Sequence, residues 1–239
     1  MRFLLVLLSA CIATTALSQP DKPDTSFLAS SRAIKFDAYS SLIGGQSRLY
    51  NGIEYPDYYS HNDEHPFFLI DDWSSGSVVY DDVFYANVDL FYDLSKEVVI
   101  TEHKFTGGKI QLISNKVSRF TMNDHLFVHL LKDDGGIIGD SFYEVLYDGK
   151  VKVYIRRQKR AQTRADVSGL TYYFSVFNRM YILKDGVYTI VRSKKSVYKV
   201  FKDHRKDLTG VLRNNKIKYR NARELGVVVL AKEYDRQTK

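Results

Sequence analysis

Cysteine is nearly absent from this sequence. Of its 239 residues only Cys11 is a cysteine, and it lies in the apolar N-terminal stretch. The chain beyond it therefore has no disulfide framework, no thiolate metal site and no cysteine nucleophile. Burial alone can stabilise a chain of this length, because all-β domains often run to about 200 residues or more as one unit.

Long apolar runs and glycine-rich motifs are also scarce. Beyond the N-terminus no stretch is long and apolar enough to span a membrane as a helix, so the mature chain is predicted to have no transmembrane helix. There is no Gly-x-Ser-x-Gly nucleophile elbow and no phosphate-binding glycine loop. No cofactor and no catalytic residue is predicted from these patterns.

The first 18 residues have the features of an export signal. Arg2 gives the positive start, Phe3–Leu8 begin the apolar region, and small residues up to Ser18 precede a cleavage site before Gln19. In the alternative, "LSAC" is a lipobox and Cys11 becomes a lipidated first residue, which leaves a signal of only about ten residues. Either interpretation predicts an exported protein, periplasmic or extracellular, and the mass of the exported chain distinguishes them.

The rest of the chain is predicted to form one domain after a short leader. Residues 19–26 contain two prolines and are typical of a flexible leader, and residues 27–43 have the pattern of a short amphipathic helix. Strand patterns then follow one another from about residue 66 to residue 192. The prediction is a single, mainly β domain over 27–239: an antiparallel meander, curved or closed into a barrel, with a helical tail from about residue 194.

Alternation and turn residues carry the strand prediction. Asp148-Gly149 and Asp185-Gly186 predict tight type I′ hairpins, because Asp-Gly pairs tolerate positive φ. Two sets of alternating residues are predicted to face the core: Val151, Val153 and Ile155 after the first turn, and Phe84, Ala86, Val88, Leu90, Tyr92 and Leu94 before it.

Helical spacing and capping residues mark the tail. Asp203 is predicted to cap its second helical segment, and Asn221 with Glu224 resembles a capping box. The β-branched "GVVVL" at 226–230 leaves the last element ambiguous between helix and strand.

Several segments resemble those of a family of uncharacterised secreted proteins from Gram-negative bacteria. They are "LYNGIEYPDY", "HPFF", "GSVVYDDVFYANVDLFYDL", "VLYDGKVKVYIRR" and the tail from "KKSVYKVFKDHRKDL" to "NNKIKY", and they cover most of the mature chain. The resemblance implies a β-rich body with a helical tail and a place in the cell envelope. It implies no catalytic residues.

Histidines give the one metal-like string. In "HNDEHP", His61, Asp63 and His65 would share one face of an extended chain, so two imidazoles and a carboxylate could converge. The alternative is a solvated polar loop, and no metal is predicted because the string has no defined metalloenzyme spacing. His125 and His129 also share a face, interpreted as the partly exposed side of a strand.

Acidic and aromatic residues leave two further interpretations open. The acids are paired in a way typical of turns, although two carboxylates in a cleft would suit a secreted hydrolase, the alternative function. The aromatic residues could stack on a sugar or a partner, but burial at one end of the fold is favoured. The acids are Asp71, Asp72, Asp81, Asp82, Asp133 and Asp134, and the aromatic residues are Tyr50, Tyr55, Tyr58, Tyr59 and Trp73.

Charge is distributed very unevenly along the chain. Residues 150–239 hold 24 Lys/Arg and 7 Asp/Glu, a net of +17, whereas residues 19–149 hold 10 and 21, a net of −11. Such asymmetry indicates anionic partners. The densest cluster lies in "YIRRQKRAQTR", and it is predicted to be an anion-binding surface at an exposed hairpin end, formed by Arg156, Arg157, Lys159 and Arg160.

The sequence therefore predicts an exported cell-envelope protein with a non-enzymatic binding or structural role. Its candidate partners are an acidic polysaccharide, an anionic lipid or another envelope protein. Nucleic acid is not predicted, because export separates the protein from it. An outer-membrane barrel fits less well, since the C-terminal region is basic and helical instead of ending in an alternating strand.

Overall fold

The computed structural model of the protein describes residues 48–56, 64–104, 106–166 and 169–238. The predicted export signal, the leader, the helix expected over 27–43 and two residues of the metal-like string, His61 and Asp63, lie outside these ranges.

The described residues form a mainly β structure, as predicted. One antiparallel sheet contains eleven strands in the order β1-β5-β4-β3-β2-β6-β7-β8-β9-β12-β13, and β10 pairs with β11 in a separate hairpin. The strands are β1 (Ile53–Glu54), β2 (Ser74–Tyr80), β3 (Val83–Asp93), β4 (Val98–Glu102), β5 (Lys109–Gln111), β6 (Val117–Met122), β7 (His125–Leu130), β8 (Ser141–Asp148), β9 (Lys152–Arg156), β10 (Lys159–Asp166), β11 (Gly169–Val176), β12 (Arg179–Lys184) and β13 (Val187–Val191).

Neighbours in the sheet are mostly neighbours in the chain, so the predicted meander is confirmed. The strand order begins at β1 and ends at β13, which do not pair with each other in the described part of the chain, so the sheet is open. The β10–β11 hairpin is an insertion, because β9 pairs directly with β12 and places Arg156 opposite Arg179. The base of this hairpin therefore lies where two central strands end.

Helices follow the last strand, and the predicted start of the tail is confirmed. They are α1 (Lys194–Val200), α2 (Arg205–Leu208), α3 (Val211–Asn214) and α4 (Arg223–Gln237), with short 3₁₀ turns at Arg48–Tyr50, Ser114–Lys116 and Lys202–His204. The ambiguous segment 226–230 lies inside α4. None of the helices in the described ranges is long and apolar enough to cross a membrane.

The helices pack on one face of β9, β12 and β13. Val151, Val153 and Ile155 are buried against them, as predicted from alternation. The helical layer contributes buried apolar residues of its own to this core: Val197, Phe201, Leu208, Leu212, Val227, Leu230, Ala231 and Tyr234.

The predicted core face of β3 is correct only in its second half. Asn87 is left out of the β2–β3 pairing and has a φ of +53°, which identifies a β-bulge. The bulge shifts the alternation by one residue, so Phe84 is 52% exposed whereas Tyr85 is 9% exposed. Beyond the bulge Leu90 and Tyr92 face the core as predicted.

Of the two predicted type I′ turns, one is confirmed. Asp185 and Gly186 both have positive φ, at 51° and 77°, as this turn requires. Asp148 instead ends β8 and pairs with Lys152, so the first connection is a three-residue loop, and Gly149 does not have positive φ. The prediction was wrong because Gly149 is needed for space: a Cβ atom there would lie 2.1 Å from Asp235 Oδ2.

Both predicted helix caps are also wrong: the Asp203 and Glu224 side chains form tertiary contacts instead, and the N-cap of α4 is Ala222 and not Asn221. Asp203 accepts hydrogen bonds from Lys184 Nζ at 2.9 Å and from Tyr234 Oη at 2.8 Å. Burial would raise the pKa of Asp203, but these two bonds outweigh it and lower that pKa to about 2. Glu224 lies in the first turn of α4, whose N-cap is Ala222.

Candidate anion-binding groove

A pair of basic clefts flanks the base of the β10–β11 hairpin. The chain leaves β9 at Arg156 and returns to the sheet at Arg179, and the hairpin base is closed by the Phe177 amide, which donates to Gln158 O at 2.8 Å. Phe177 and Arg179 line both clefts. We refer to the two adjoining clefts together as the basic groove.

The first cleft is the more strongly basic of the two. It has a volume of about 420 Å³, and four of its described lining residues are cations whereas none is acidic. Its lining is Ser95, Arg156, Gln158, Lys159, Arg160, Ala161, Phe177 and Arg179.

The second cleft continues the groove toward the helical layer. It has a volume of about 490 Å³, and a single acid, Glu224, is present among its described lining residues. That acid is already paired with Arg157, so the cleft also presents excess positive charge. Its lining is Ile155, Phe177, Asn178, Arg179, Met180, Ile190, Val191, Arg192, Arg223 and Glu224.

Phe177 is the aromatic centre of the groove. Its ring is 40% exposed, and the guanidinium carbons of Arg160 and Arg179 lie 5.4 and 4.7 Å from its centroid. Both distances are within the range of cation–π attraction. The ring therefore contacts two guanidinium groups, and in the described part of the chain no carboxylate pairs with either of them.

The four residues predicted as one anion-binding surface do not form one exposed cluster. They were placed at a hairpin end, but β9 ends at Arg156 and β10 begins at Lys159, so they lie at the hairpin base. Consecutive residues of an extended chain point to opposite faces. Arg156 and Arg157 therefore reach different carboxylates on the two sides of the sheet.

Arg156 forms a two-fold ion pair with Glu97. Its Nε donates to Glu97 Oε1 at 2.7 Å and its Nη2 donates to Glu97 Oε2 at 2.5 Å. Hydrogen bonding to Glu97 raises the pKa of Arg156, although burial acts in the opposite direction. Arg156 lines the first cleft, but its charge is largely compensated.

Arg157 is held between two acids. Its Nε donates to Glu144 Oε2 at 2.5 Å, and its Nη1 and Nη2 each donate to Glu224 at 2.8 Å. Burial alone would lower the pKa of Arg157, but the hydrogen bonds to Glu224 and Glu144 raise it overall. This arginine joins the sheet to α4 and does not present a free charge.

Lys159 is engaged by the backbone and Arg160 is the exposed member of the four. The Lys159 ammonium donates to His65 O at 2.7 Å and to Phe67 O at 3.0 Å, and burial lowers the pKa of Lys159. Of the four predicted residues, Arg160 lines the first cleft with an exposed guanidinium group that stacks on Phe177. Phe177 and Arg179 were missed because they follow the hairpin in sequence. They approach Arg160 through the pairing of β10 with β11 and of β9 with β12.

The remaining histidines and acids do not converge on a second site in the described ranges. His125 Nδ1 lies 2.6 Å from Glu144 Oε1, and His129 Nε2 lies 2.6 Å from Asp140 Oδ1, so each histidine has its own acid. In the residues that the structure describes, no group of three or more His, Cys, Asp and Glu side chains could hold a metal ion.

Turn positions account for the acid pairs that were considered for a hydrolase. Asp81 and Asp82 form the β2–β3 turn with φ values of 52° and 62°, and Asp133 Oδ1 accepts from the Ile138 amide at 2.6 Å. Asp71 and Asp72 are exposed and adjacent. None of these acids lines either cleft of the basic groove in the described part of the chain.

Of the aromatic residues considered for stacking on a sugar or a partner, Tyr55 is buried, and Tyr50 and Trp73 are partly buried. Tyr55 is buried and donates to Asp93 Oδ2 at 2.8 Å, and Trp73 packs against Phe91. Tyr50 is half-buried beside His103, whereas Tyr58 and Tyr59 lie outside the described residues.

Comparison with protein-family models, with curated proteins and with solved structures gave no match.

Proposed function

We propose that this protein is an exported cell-envelope protein that binds an acidic polysaccharide in the basic groove and does not act as an enzyme. The observation that carries the proposal is the stack of Arg160, Phe177 and Arg179, in which two guanidinium groups, neither paired with a carboxylate among the described residues, flank one exposed ring. Export and the resemblance to a secreted family stay predictions from the sequence.

The chemistry of the groove suits a chain of sugar acids. A guanidinium group binds a carboxylate through two parallel hydrogen bonds, and an aromatic ring offers an apolar face to a sugar ring. Gln158 and Asn178 add amide groups that can bond to hydroxyls. The two clefts adjoin, so a polymer can occupy both and bring several weak contacts together.

The groove offers less to a hydrolase. Glycoside hydrolysis needs a pair of carboxylates on opposite sides of the scissile bond. The one acid among the described lining residues, Glu224, has both of its oxygens bonded to Arg157. The hydrolase alternative therefore has no observation in its favour at this groove.

The first prediction is that charge reversal in the groove weakens polysaccharide binding. At about 0.05 M salt the protein should bind polygalacturonate, and the double variant Arg160→Glu/Arg179→Glu should bind about tenfold or more weakly, a loss of about 1.4 kcal/mol. Microscale thermophoresis with labelled protein measures both affinities.

The matched control is Arg119→Glu/Lys132→Glu. It makes the same change in net charge at two exposed positions outside the groove. We expect its affinity to stay within about twofold of the wild type, because isolated exposed charges are screened beyond about 14 Å at this salt concentration. Equal losses in the two double variants would contradict binding in the groove.

A further inference from the structure

The helical segment between β13 and α4 carries an unusual excess of exposed cations. Residues Arg192–Arg223, called here the basic segment, contain twelve Lys/Arg and two Asp. All twelve cationic side chains are exposed: Arg192, Lys194, Lys195, Lys199, Lys202, Arg205, Lys206, Arg213, Lys216, Lys218, Arg220 and Arg223.

The two acids of the basic segment do not neutralise it. Asp203 accepts from Lys184 and Tyr234, which both lie outside the segment, and Asp207 lies 3.4 Å from His204 Nδ1. In the part of the chain that the structure describes, no carboxylate oxygen lies within 4.0 Å of any of the twelve cations. The tertiary structure therefore leaves this charge uncompensated.

The charge is densest around α1. A cleft of about 410 Å³ is lined by Lys195, Lys199, Lys202 and Arg205 together with Tyr198, and none of its described lining residues is acidic. Lys195 and Lys199 are four residues apart on one face of α1, and Lys202 begins the 3₁₀ turn that follows. Like charges at this spacing oppose helix formation, so folding alone does not account for them.

The hydroxyl groups beside this cleft serve the helix and not a ligand. Ser193 Oγ accepts from the Ser196 amide, and Ser196 Oγ accepts from the Ser193 amide, which together form a capping box. The Tyr198 hydroxyl donates to Leu208 O at 3.3 Å. The groups left to meet a partner are thus the ammonium and guanidinium groups.

Lysine-rich and aromatic-rich surfaces suit different partners. In the basic groove, a stacked ring and fixed guanidinium groups provide a shape for a sugar. In the basic segment, most of the cations are lysines on flexible stems, which act as mobile point charges. Clusters of four to eight such residues on short helices are attracted to the phosphate groups of an anionic membrane surface, which meets many of them at once.

We propose that the basic segment is a membrane-docking surface that binds the phosphate groups of anionic lipids. Its densest part, at Lys195, Lys199 and Lys202, lies outside the lining of the basic groove, which the segment meets at Arg192 and Arg223. The segment would hold the protein at a membrane surface without inserting a helix. The attraction comes from many weak contacts, so it must depend strongly on salt.

Vesicle co-sedimentation tests the proposal. The full exported protein should sediment with vesicles containing phosphatidylglycerol at about 0.05 M salt, should not sediment with pure phosphatidylcholine vesicles, and should be released at about 0.5 M salt. The triple variant Lys195→Glu/Lys199→Glu/Lys202→Glu should lower the partition coefficient about tenfold or more. The neutral variant Lys195→Gln/Lys199→Gln/Lys202→Gln should lower it less, and it stands in if the reversal impairs folding.

The matched control is Lys104→Glu/Arg119→Glu/Lys132→Glu, which reverses three exposed cations in the sheet half. It should keep wild-type vesicle binding, as should Arg160→Glu/Arg179→Glu. The proposal is overturned if the protein does not bind phosphatidylglycerol vesicles, or if the control triple variant loses as much binding as Lys195→Glu/Lys199→Glu/Lys202→Glu. It is also overturned if the lysine reversals weaken polygalacturonate binding and leave vesicle binding unchanged, because the segment would then be a polysaccharide site.

Discussion

Replacing Glu144 with alanine is expected to destabilise the protein by about 3 kcal/mol or more, because it leaves a largely buried arginine without one of its two acids. The Glu144 side chain is 4% exposed, and its two oxygens contact His125 Nδ1 and Arg157 Nε. Glu144 lies on β8 and contacts His125 on β7 and Arg157 after β9, so its loss removes both of these contacts. Urea unfolding measures the change through the midpoint at a constant slope.

Glu224 provides the matched control for this prediction. It binds the same arginine, but its side chain is 41% exposed, and water can replace it. Glu224→Ala should therefore cost only about 1 kcal/mol, as expected for an ion pair near the surface. Equal effects of the two substitutions would show that burial of Glu144 contributes nothing. The variant Glu144→Gln, which keeps the volume but not the charge, should fall between them.

Gly149→Ala should destabilise the protein by about 2 kcal/mol or more. A Cβ atom at this position would lie 2.1 Å from Asp235 Oδ2 and 2.5 Å from the Tyr147 hydroxyl oxygen. Asp235 is buried, accepts from Tyr147 at 2.9 Å, and also accepts from the Val151 amide at 3.2 Å. Displacing this carboxylate breaks buried hydrogen bonds, each of which costs about 1–3 kcal/mol when left unsatisfied.

A glycine in a hairpin loop can be required for a positive φ or for lack of space for a Cβ atom, and Gly186→Ala distinguishes these two reasons. Gly186 has a φ of +77°, but a Cβ atom there would meet nothing within 4 Å. Its replacement should cost only about 1 kcal/mol, from the left-handed backbone alone. Differential scanning calorimetry should then show a clearly lower midpoint for Gly149→Ala than for Gly186→Ala. A reversed order would mean that the loop accommodates a Cβ atom at position 149 and that the contact with Asp235 does not require glycine.

These two glycines also show how far local sequence patterns reach. Strand alternation and Asp-Gly pairs are local signals, and they were sufficient for the meander, for the buried face of β9 and for the turn at Gly186. The contact of Gly149 with Asp235 joins residues 86 positions apart in the chain. A signal of this kind is absent from local sequence, because it arises only when α4 packs on the sheet.

The predicted core face of β3 and the predicted exposure of Arg157 were wrong for the same reason. Each depends on how segments pair in the fold, which the local sequence does not show. Alternation predicts a face only while the register is constant, and one extra residue reverses it. The density of charge in "YIRRQKRAQTR" was correctly recognised, but Glu97, Glu144 and Glu224 lie far away in sequence and approach only in the fold. The acidic half therefore neutralises part of the basic half. Arg160, Arg179 and the cations of the basic segment form no ion pair with a carboxylate of the described residues.

The protein has two cationic surfaces of different chemistry. The basic groove is small, rigid and built around one aromatic ring, whereas the basic segment is broad and rich in lysine. A protein with both could hold an acidic polymer close to a membrane surface. The central claim is polysaccharide binding in the basic groove, because of the two surfaces it is the one that combines an aromatic ring with positive charge.

The affinity of Phe177→Ala for polygalacturonate tests that claim most directly, because the substitution leaves net charge unchanged. The ring orients Arg160 and Arg179 and offers a face to a sugar, interactions of about 0.5–1.5 kcal/mol each. We therefore expect an affinity about fivefold or more below that of the wild type. Phe84→Ala, which removes an exposed ring on β3, should bind like the wild type. If Phe177→Ala also binds like the wild type, the polymer is held by diffuse charge and the groove is not its site.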